Sequence, residues 1–301
     1  QSLLELLSDP TAAAIVWDIR APRTLGACLA GALLGLAGAV AQGLFRNPLA
    51  DPFLLGSASG ASLGVALALV LFGFSPLAAN WVSALGLTGA AFIGSMAAVL
   101  LTLTLARGVQ HTLRLLLSGV IVGVVLGAIG SLVTLLVPET MPAMQAFMLG
   151  STGFVGWPAC GLMAAAFTVC LSVAWTLSPV LDGLTLGEAT ARSLGLPLAP
   201  LRLALVGVLA LATGAAVAQT GLIAFVGLAA PHLVRSVVKT THGRLMVLSA
   251  LTGGALLLAA DILARAWIAP QELPVGVLTA VLGGGYLLWL MHRGRGQRGL
   301  A

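Results

Sequence analysis

The side chains in this sequence best suited to holding a metal or running an acid–base step are few and scattered. Cys28, Cys160 and Cys170 lie in apolar stretches with no Cys-x-x-Cys pair, so packing, not a disulfide or a metal, is the role their spacing supports. His232 and His242 carry imidazoles that could ligate a metal. An imidazole titrating near pH 6.5 at a membrane surface serves equally as an interfacial or capping group. His111 and His292 sit in basic segments and need no further role. Asp261 and Arg265 stand one helical turn apart and can pair on one face. No Gly-x-x-x-x-Gly-Lys-Ser/Thr run exists to hold nucleotide phosphates. Nothing in this set reads as a catalytic constellation. The chain is expected to catalyse no covalent reaction and to carry no cofactor of its own.

The elements that surround these residues explain their scarcity. Of 301 residues 59% are hydrophobic and only 8% charged, with a mean hydropathy of +1.09. Soluble domains carry about 25% charged residues. A bilayer core about 30 Å thick takes roughly 20 apolar residues per helix. The apolar runs here are long and do not alternate, which excludes a transmembrane barrel. The 38 glycines suit close helix contact in lipid. Charge-free runs predict spans at 24–44, 54–73, 81–106, 115–137, 157–177, 203–219, 222–238, 246–264 and 275–291. Residues 139–156 are too short and Gly-rich to cross and predict a small re-entrant or interfacial helix.

Orientation follows from the basic residues. With the 45–53 loop inside, Arg46, Arg107, Arg114, Arg192, Arg202, Arg235, Lys239, Arg244, Arg293, Arg295 and Arg298 are cytoplasmic. Only Arg20, Arg23 and Arg265 remain outside. This asymmetry accounts for the pI of about 10.1 without invoking nucleic acid. An odd number of spans puts the termini on opposite sides. The first residue is Gln, so one further helix is expected ahead of it. Ion-coupled transporters keep ionisable pairs at membrane depth, and the middles of these spans hold none. A transporter without an engine of its own implies a partner ATPase.

Gly38-Ala39-Val40-Ala41-Gln42 is echoed by Ala215-Ala216-Val217-Ala218-Gln219, each at the end of a span and running in opposite directions. That is the pattern of an inverted repeat. Five further stretches are ordered along the chain. They are Trp17-Asp18-Ile19-Arg20-Ala21-Pro22-Arg23; Gln42 with Arg46-Asn47-Pro48-Leu49-Ala50-Asp51-Pro52 and Leu55-Gly56; and Leu186-Gly187-Glu188 with Ala191-Arg192 and Leu194-Gly195. The fourth runs from Gly221 to Leu228, then Pro231-His232 and Arg235; the fifth is Ala260-Asp261, Arg265 and Glu272-Leu273-Pro274-Val275-Gly276.

Taken together these stretches resemble the FecCD family of ABC importer permeases, which carry iron–siderophore complexes, haem or vitamin B12. The resemblance covers essentially the whole chain. It implies an all-α, ten-helix permease fold, one transmembrane domain over 1–301 with a cytoplasmic coupling loop at 178–202. It also implies a homodimer, two cytoplasmic ATPase subunits that bind ATP and magnesium, a periplasmic binding protein, and a multi-pass place in the bacterial inner membrane. An iron chelate is the expected cargo, with cobalamin the alternative; an ion-coupled secondary transporter is the rival of a different class.

Roles carry over residue by residue. Arg20 and Arg265 match arginines that pair with glutamates of the binding protein, a docking rim that would favour orientation and encounter. Asn47 and Leu49, with Thr112 and Leu113, match positions that close the cytoplasmic exit in the family's vitamin B12 permeases. The Leu113 position is polar there and apolar here. The same turn has a purely structural reason to exist, since its prolines break helices and Asn and Asp favour turns. Gly187, Glu188, Ala191, Arg192, Leu194 and Gly195 match the coupling helices that seat in the ATPase. His232 and His242 are the candidate haem contacts, and both also fit the general pattern of members that never carry haem.

Overall fold

The computed structural model describes residues 10–72, 81–106, 112–193, 195 and 197–298. A short helical lead-in, Pro10–Ala14 and a π-turn Ile15–Arg20, runs directly into α1, Ala21–Phe45. There follow α2 Ser57–Phe72, α3 Trp81–Leu105, α4 Thr112–Leu136, α5 Met141–Leu149 and α6 Trp157–Thr176. Two short helices, α7 Ser178–Thr185 and α8 Glu188–Ser193, lead to α9 Leu198–Thr220. The described chain ends with α10 Val226–Val237, α11 His242–Ala266 and α12 Val275–Arg298. Among the described residues six helices are long and apolar enough to cross a bilayer; α2 and the apolar part of α12 are shorter.

One expected span is corrected. Residues 222–238 are not a full crossing: Gly221 turns the chain, a short link follows, and α10 holds only 12 residues. At 1.5 Å per residue that is about 18 Å, well short of the hydrocarbon core. α10 is a half-helix that starts inside the bundle. Its start is marked by Phe225 at φ +69°, a backbone state that bulky residues rarely adopt. The segment expected to be re-entrant is α5, nine residues long. Its last turn accepts a hydrogen bond from Leu222 N–H at Phe147 O, and Ser151 N–H donates to Thr220 O. The link into α10 is thereby stitched to the last turn of α5, and the segment after α5 to the end of α9.

α1 is the central strut. Every residue from Ala30 to Phe45 is buried. In lipid no hydrophobic force drives helices together, so close van der Waals contact must do so, and small residues permit it. α1 and α11 run antiparallel: a Cβ on Gly31 would stand 2.3 Å from Gly253 O, and one on Gly35 would stand 2.2 Å from Ser249 O. α2 and α3 repeat the device, where a Cβ on Gly60 would meet Gly94 O at 2.3 Å. Pro231 lacks an N–H, so the Gly227 carbonyl has no amide partner one turn along α10. That carbonyl points at Gly38, where a Cβ would lie only 1.6 Å away.

The sequence echo has a structural counterpart. α1 ends at Arg46 (φ +51°) and α2 begins after Gly56 (φ +79°), whereas α9 ends at Gly221 (φ +68°) and α10 begins after Phe225. Each half is a helix, a left-handed residue, a link, a second left-handed residue and a helix, and the two halves run in opposite directions.

Gly38→Ala forces α1 and α10 apart and should cost about 2 kcal/mol. Gly161→Ala in α6, where an added Cβ meets nothing within 4 Å, should cost nothing. Thermal unfolding of the two purified variants in detergent checks the contrast.

Candidate functional site: two charged rims and an inner turn

At the outer end, Asp261 of α11 is fully buried and collects groups from distant parts of the chain. Arg23, in the first turn of α1, donates to its Oδ1 from Nε (3.3 Å) and a terminal nitrogen (3.2 Å). Arg265, one turn along α11, reaches Oδ2 at 2.6 Å. The Thr152 hydroxyl also donates to Oδ1. Arg23 in turn holds both carboxylate oxygens of Glu272, at 2.9 and 3.0 Å. A buried carboxylate is tolerable only when paired this fully. The cluster ties together α1, α11, the loop after α5 and the approach to α12. Beside it, the Trp17 and Trp157 rings lie 5.0 Å apart and Trp157 Nε1 donates to Trp17 O, as suits a membrane interface.

The two arginines expected at a docking rim differ in setting. Arg20 is exposed at the end of the π-turn. Arg265 is only partly exposed and is engaged with Asp261. Arg23, which sequence reasoning left without a role, is the better connected of the outside arginines. Only the Asp261–Arg265 spacing signalled any of this; the Arg23 contact spans 238 residues.

At the inner end, α1 gives way to the Arg46–Gly56 turn. Asn47 Oδ1 accepts from Leu49 N–H at 2.9 Å, and Asp51 Oδ1 accepts from Phe53 N–H at 2.8 Å. These two side-chain-to-backbone bonds fix the path of the turn. Burial raises the Asp51 carboxyl above its ordinary value, and the bond from Phe53 opposes that shift. Leu49 projects outward, about half exposed. The turn then climbs back into the bundle, where Thr102 donates to Leu55 O and a Cβ on Gly119 of α4 would meet Leu54 O. Thr112 and Leu113 open α4 at the same inner end, with Leu113 well exposed. The structure thus puts the four expected gate positions on two neighbouring segments.

Gln42 joins this turn to the half-helix. Its amide nitrogen donates to Leu228 O at 3.1 Å, and Arg235 donates to its Oε1. Both residues stood in the sequence motifs, but nothing in their spacing paired them.

The segment 178–195 is two short helices broken at Gly187 (φ +103°) and ended at Gly195 (φ +79°), conformations that favour glycine. Ala191 is fully buried, whereas Glu188 is partly exposed. Leu194 lies outside the described residues. His242 opens α11: its main-chain N–H donates to Asp182 Oδ1 at 3.1 Å, and its Nδ1 lies 2.6 Å from the same oxygen. His232 packs edge-on against Tyr286, ring centroids 5.9 Å apart. Of the two candidate haem contacts, then, one imidazole is committed to a carboxylate and the other to an aromatic ring.

Asp261→Asn would leave two half-buried arginines facing a neutral amide. A loss of about 3 kcal/mol is expected, read as a lowered unfolding midpoint of the purified protein.

Comparison with known proteins places this arrangement. The chain is similar to the hemin transport system permease protein HmuU of Yersinia pestis, 40% identical over 287 residues that cover 94% of this chain and 85% of that protein. It is 41% identical to the vitamin B12 import system permease protein BtuC of Escherichia coli strain HS, over 95% of this chain and 86% of that one. A solved structure of an inward-facing metal-chelate type ABC transporter superposes with a TM-score of 0.86 at 31% identity, covering 95% of this chain and 89% of the other. PsaBC from Streptococcus pneumoniae, at 15% identity and a TM-score of 0.67, shares the fold alone. Residues 1–293 match the description of the FecCD transport family, and with these relatives across nearly its whole length the chain belongs to that family of membrane transport proteins.

Proposed function

We propose that this chain is the permease subunit of a bacterial inner-membrane ABC importer whose cargo is a bulky iron chelate, haem or a ferric siderophore. It pairs with a second copy of itself, receives cargo from a periplasmic binding protein at the Arg20 and Arg265 rim, and is driven by cytoplasmic ATPase subunits. The gate is the Asn47–Leu49 turn with Thr112 and Leu113. Cobalamin remains the alternative cargo, since one of the similar permeases is named for it.

The observation that carries a passage through this subunit is a trough of about 480 Å³ between α2, α4 and α5. At Gly31, Gly35, Gly60 and Gly94 a glycine seals one helix against another. At Gly123, Gly127 and Gly130 of α4 no such seal forms, since an added Cβ would meet no heavy atom closer than 3.7 Å. Ser59, Ser62, Ser131 and Thr134 bring hydroxyls to the walls, and no charged side chain lines them. A wall of this kind offers a large cargo weak contacts and no strong one, which suits passage over storage. α4 is also the least buried of the six long spans. Its outward apolar face suits a second copy of the chain.

Uptake into proteoliposomes that contain the permease, its ATPase and its binding protein tests the reading. ATP-dependent uptake that survives an uncoupler is expected, with hydrolysis stimulated by the loaded binding protein; uptake that collapses with the uncoupler would point to ion coupling. Gly127→Leu should slow uptake by about tenfold, as about 1.4 kcal/mol on the barrier would do. Gly161→Leu on α6 should leave it unchanged. Binding of haem, ferric siderophores and cobalamin to the cognate periplasmic protein identifies the cargo.

A further inference from the structure

We propose that the Glu188–Arg202 ion pair and the hydrogen-bonded pair Asp182–His242 form a clasp that makes the α7–α8 segment one lever with α9 and α11. The clasp would carry displacement from the inner face to the gate turn. The proposal rests on the reading of the chain as an ABC importer permease.

A solvated connector would leave its carboxylates unpaired, whereas Asp182 and Glu188, both partly exposed, each pair with a residue near the start of a long helix. Arg202 lies in the second turn of α9 and is 2% exposed. Its guanidinium meets Glu188 Oε1, on the first residue of α8, at 2.5 Å. A guanidinium buried so deeply loses its paired carboxylate at a cost, because its surroundings solvate charge poorly. That cost favours movement of α8 together with α9.

The second pair works on the next helix. Asp182 of α7 accepts from the first N–H of α11 and pairs with the ring of the same residue, His242. A carboxylate at a helix N-terminus satisfies an otherwise open donor and opposes the positive end of the helix dipole. Here the cap comes from another segment, so it is also a tether. On the same short helix as Asp182, Leu181 and Leu184 are fully buried, and Leu181 sits close to Gly43 of α1.

From these anchor points the path inward is stiff. α11 is joined to α1 backbone to backbone at Gly31, Gly35 and Gly253. α1 runs without a break to the turn that holds Asn47 and Leu49, and Gln42 binds that end to α10. A push on α7 and α8 thus reaches the gate turn as a rigid-body motion and is not absorbed in a flexible loop.

The test is the amount of cargo delivered per ATP hydrolysed by the reconstituted transporter. Arg202 faces the bundle, so Arg202→Gln leaves the ATPase-facing surface untouched; a drop of about tenfold in cargo per ATP is expected. Glu188→Arg alone should do the same, and the exchange Glu188→Arg with Arg202→Glu should restore most of it. Asp182→Asn keeps the oxygen that caps α11 and removes only the charge, so a smaller drop is expected. An exchange no better than Glu188→Arg alone would mean that Glu188 acts on the partner and not through Arg202, and the proposal would fall. Unchanged cargo per ATP in Arg202→Gln and Asp182→Asn would overturn it equally. If Arg202→Gln does not fold, the exchange and Asp182→Asn decide. Failure of the unmodified chain to take up cargo with ATP would instead remove the importer reading itself.

Discussion

The contact on which the rest of this structure depends is the approach of α1 to α11, close enough that neither helix can carry a side chain at Gly31, Gly35 or Gly253. Water-driven burial cannot assemble helices that already sit in hydrocarbon, so the fold relies on many short van der Waals contacts along matched surfaces. Once α1 is fixed this way, α9, α10 and α6 arrange themselves around it. The glycines then divide into two kinds. Gly31, Gly35, Gly60, Gly94 and Gly253 are closed by a neighbouring backbone, and Gly123, Gly127 and Gly130 of α4 face open space. The same residue type that holds the bundle together also leaves one side of it unfilled.

Charge is arranged with equal economy. Where ionisable groups are buried they gather at the two ends of the bundle, and each gathering joins elements far apart in the chain. At the outer end Asp261 links four segments; at the inner end Arg202, His242 and Arg235 each fasten a helix terminus to a neighbour. Buried pairs of this sort add little net stability compared with apolar packing, but they penalise any arrangement that separates them. They specify which helix ends travel together.

Much of this architecture can be read from sequence because membranes impose strong rules. Apolar runs of sufficient length mark the long helices. The motifs around Asn47, Gly187 and Asp261 mark the segments where the structure has its turns, breaks and buried charge. The half-helix α10 was not legible, since hydropathy registers composition and not the path of the backbone. The left-handed residue at Phe225, which sets the start of α10, has no signature in a residue type that normally avoids it. Arg202 counts as a loop charge in any tally of basic residues, yet it is buried in α9. Arg23 with Asp261, and Gln42 with Arg235, pair across 238 and 193 residues, beyond the reach of any helical spacing rule.

The confinement of charge to the two rims has an electrical consequence. A unit charge moved across the membrane gains or loses about 2.3 kcal/mol per 100 mV, so proteins that sense voltage carry charges through the hydrocarbon. Here the described ion pairs, Arg23 and Arg265 with Asp261 and Arg202 with Glu188, stand within two turns of helix ends. Charges of opposite sign that move as a pair carry little net charge through such a field. A rearrangement that keeps Arg23 and Arg265 with Asp261, and Arg202 with Glu188, would therefore add little gating charge of its own.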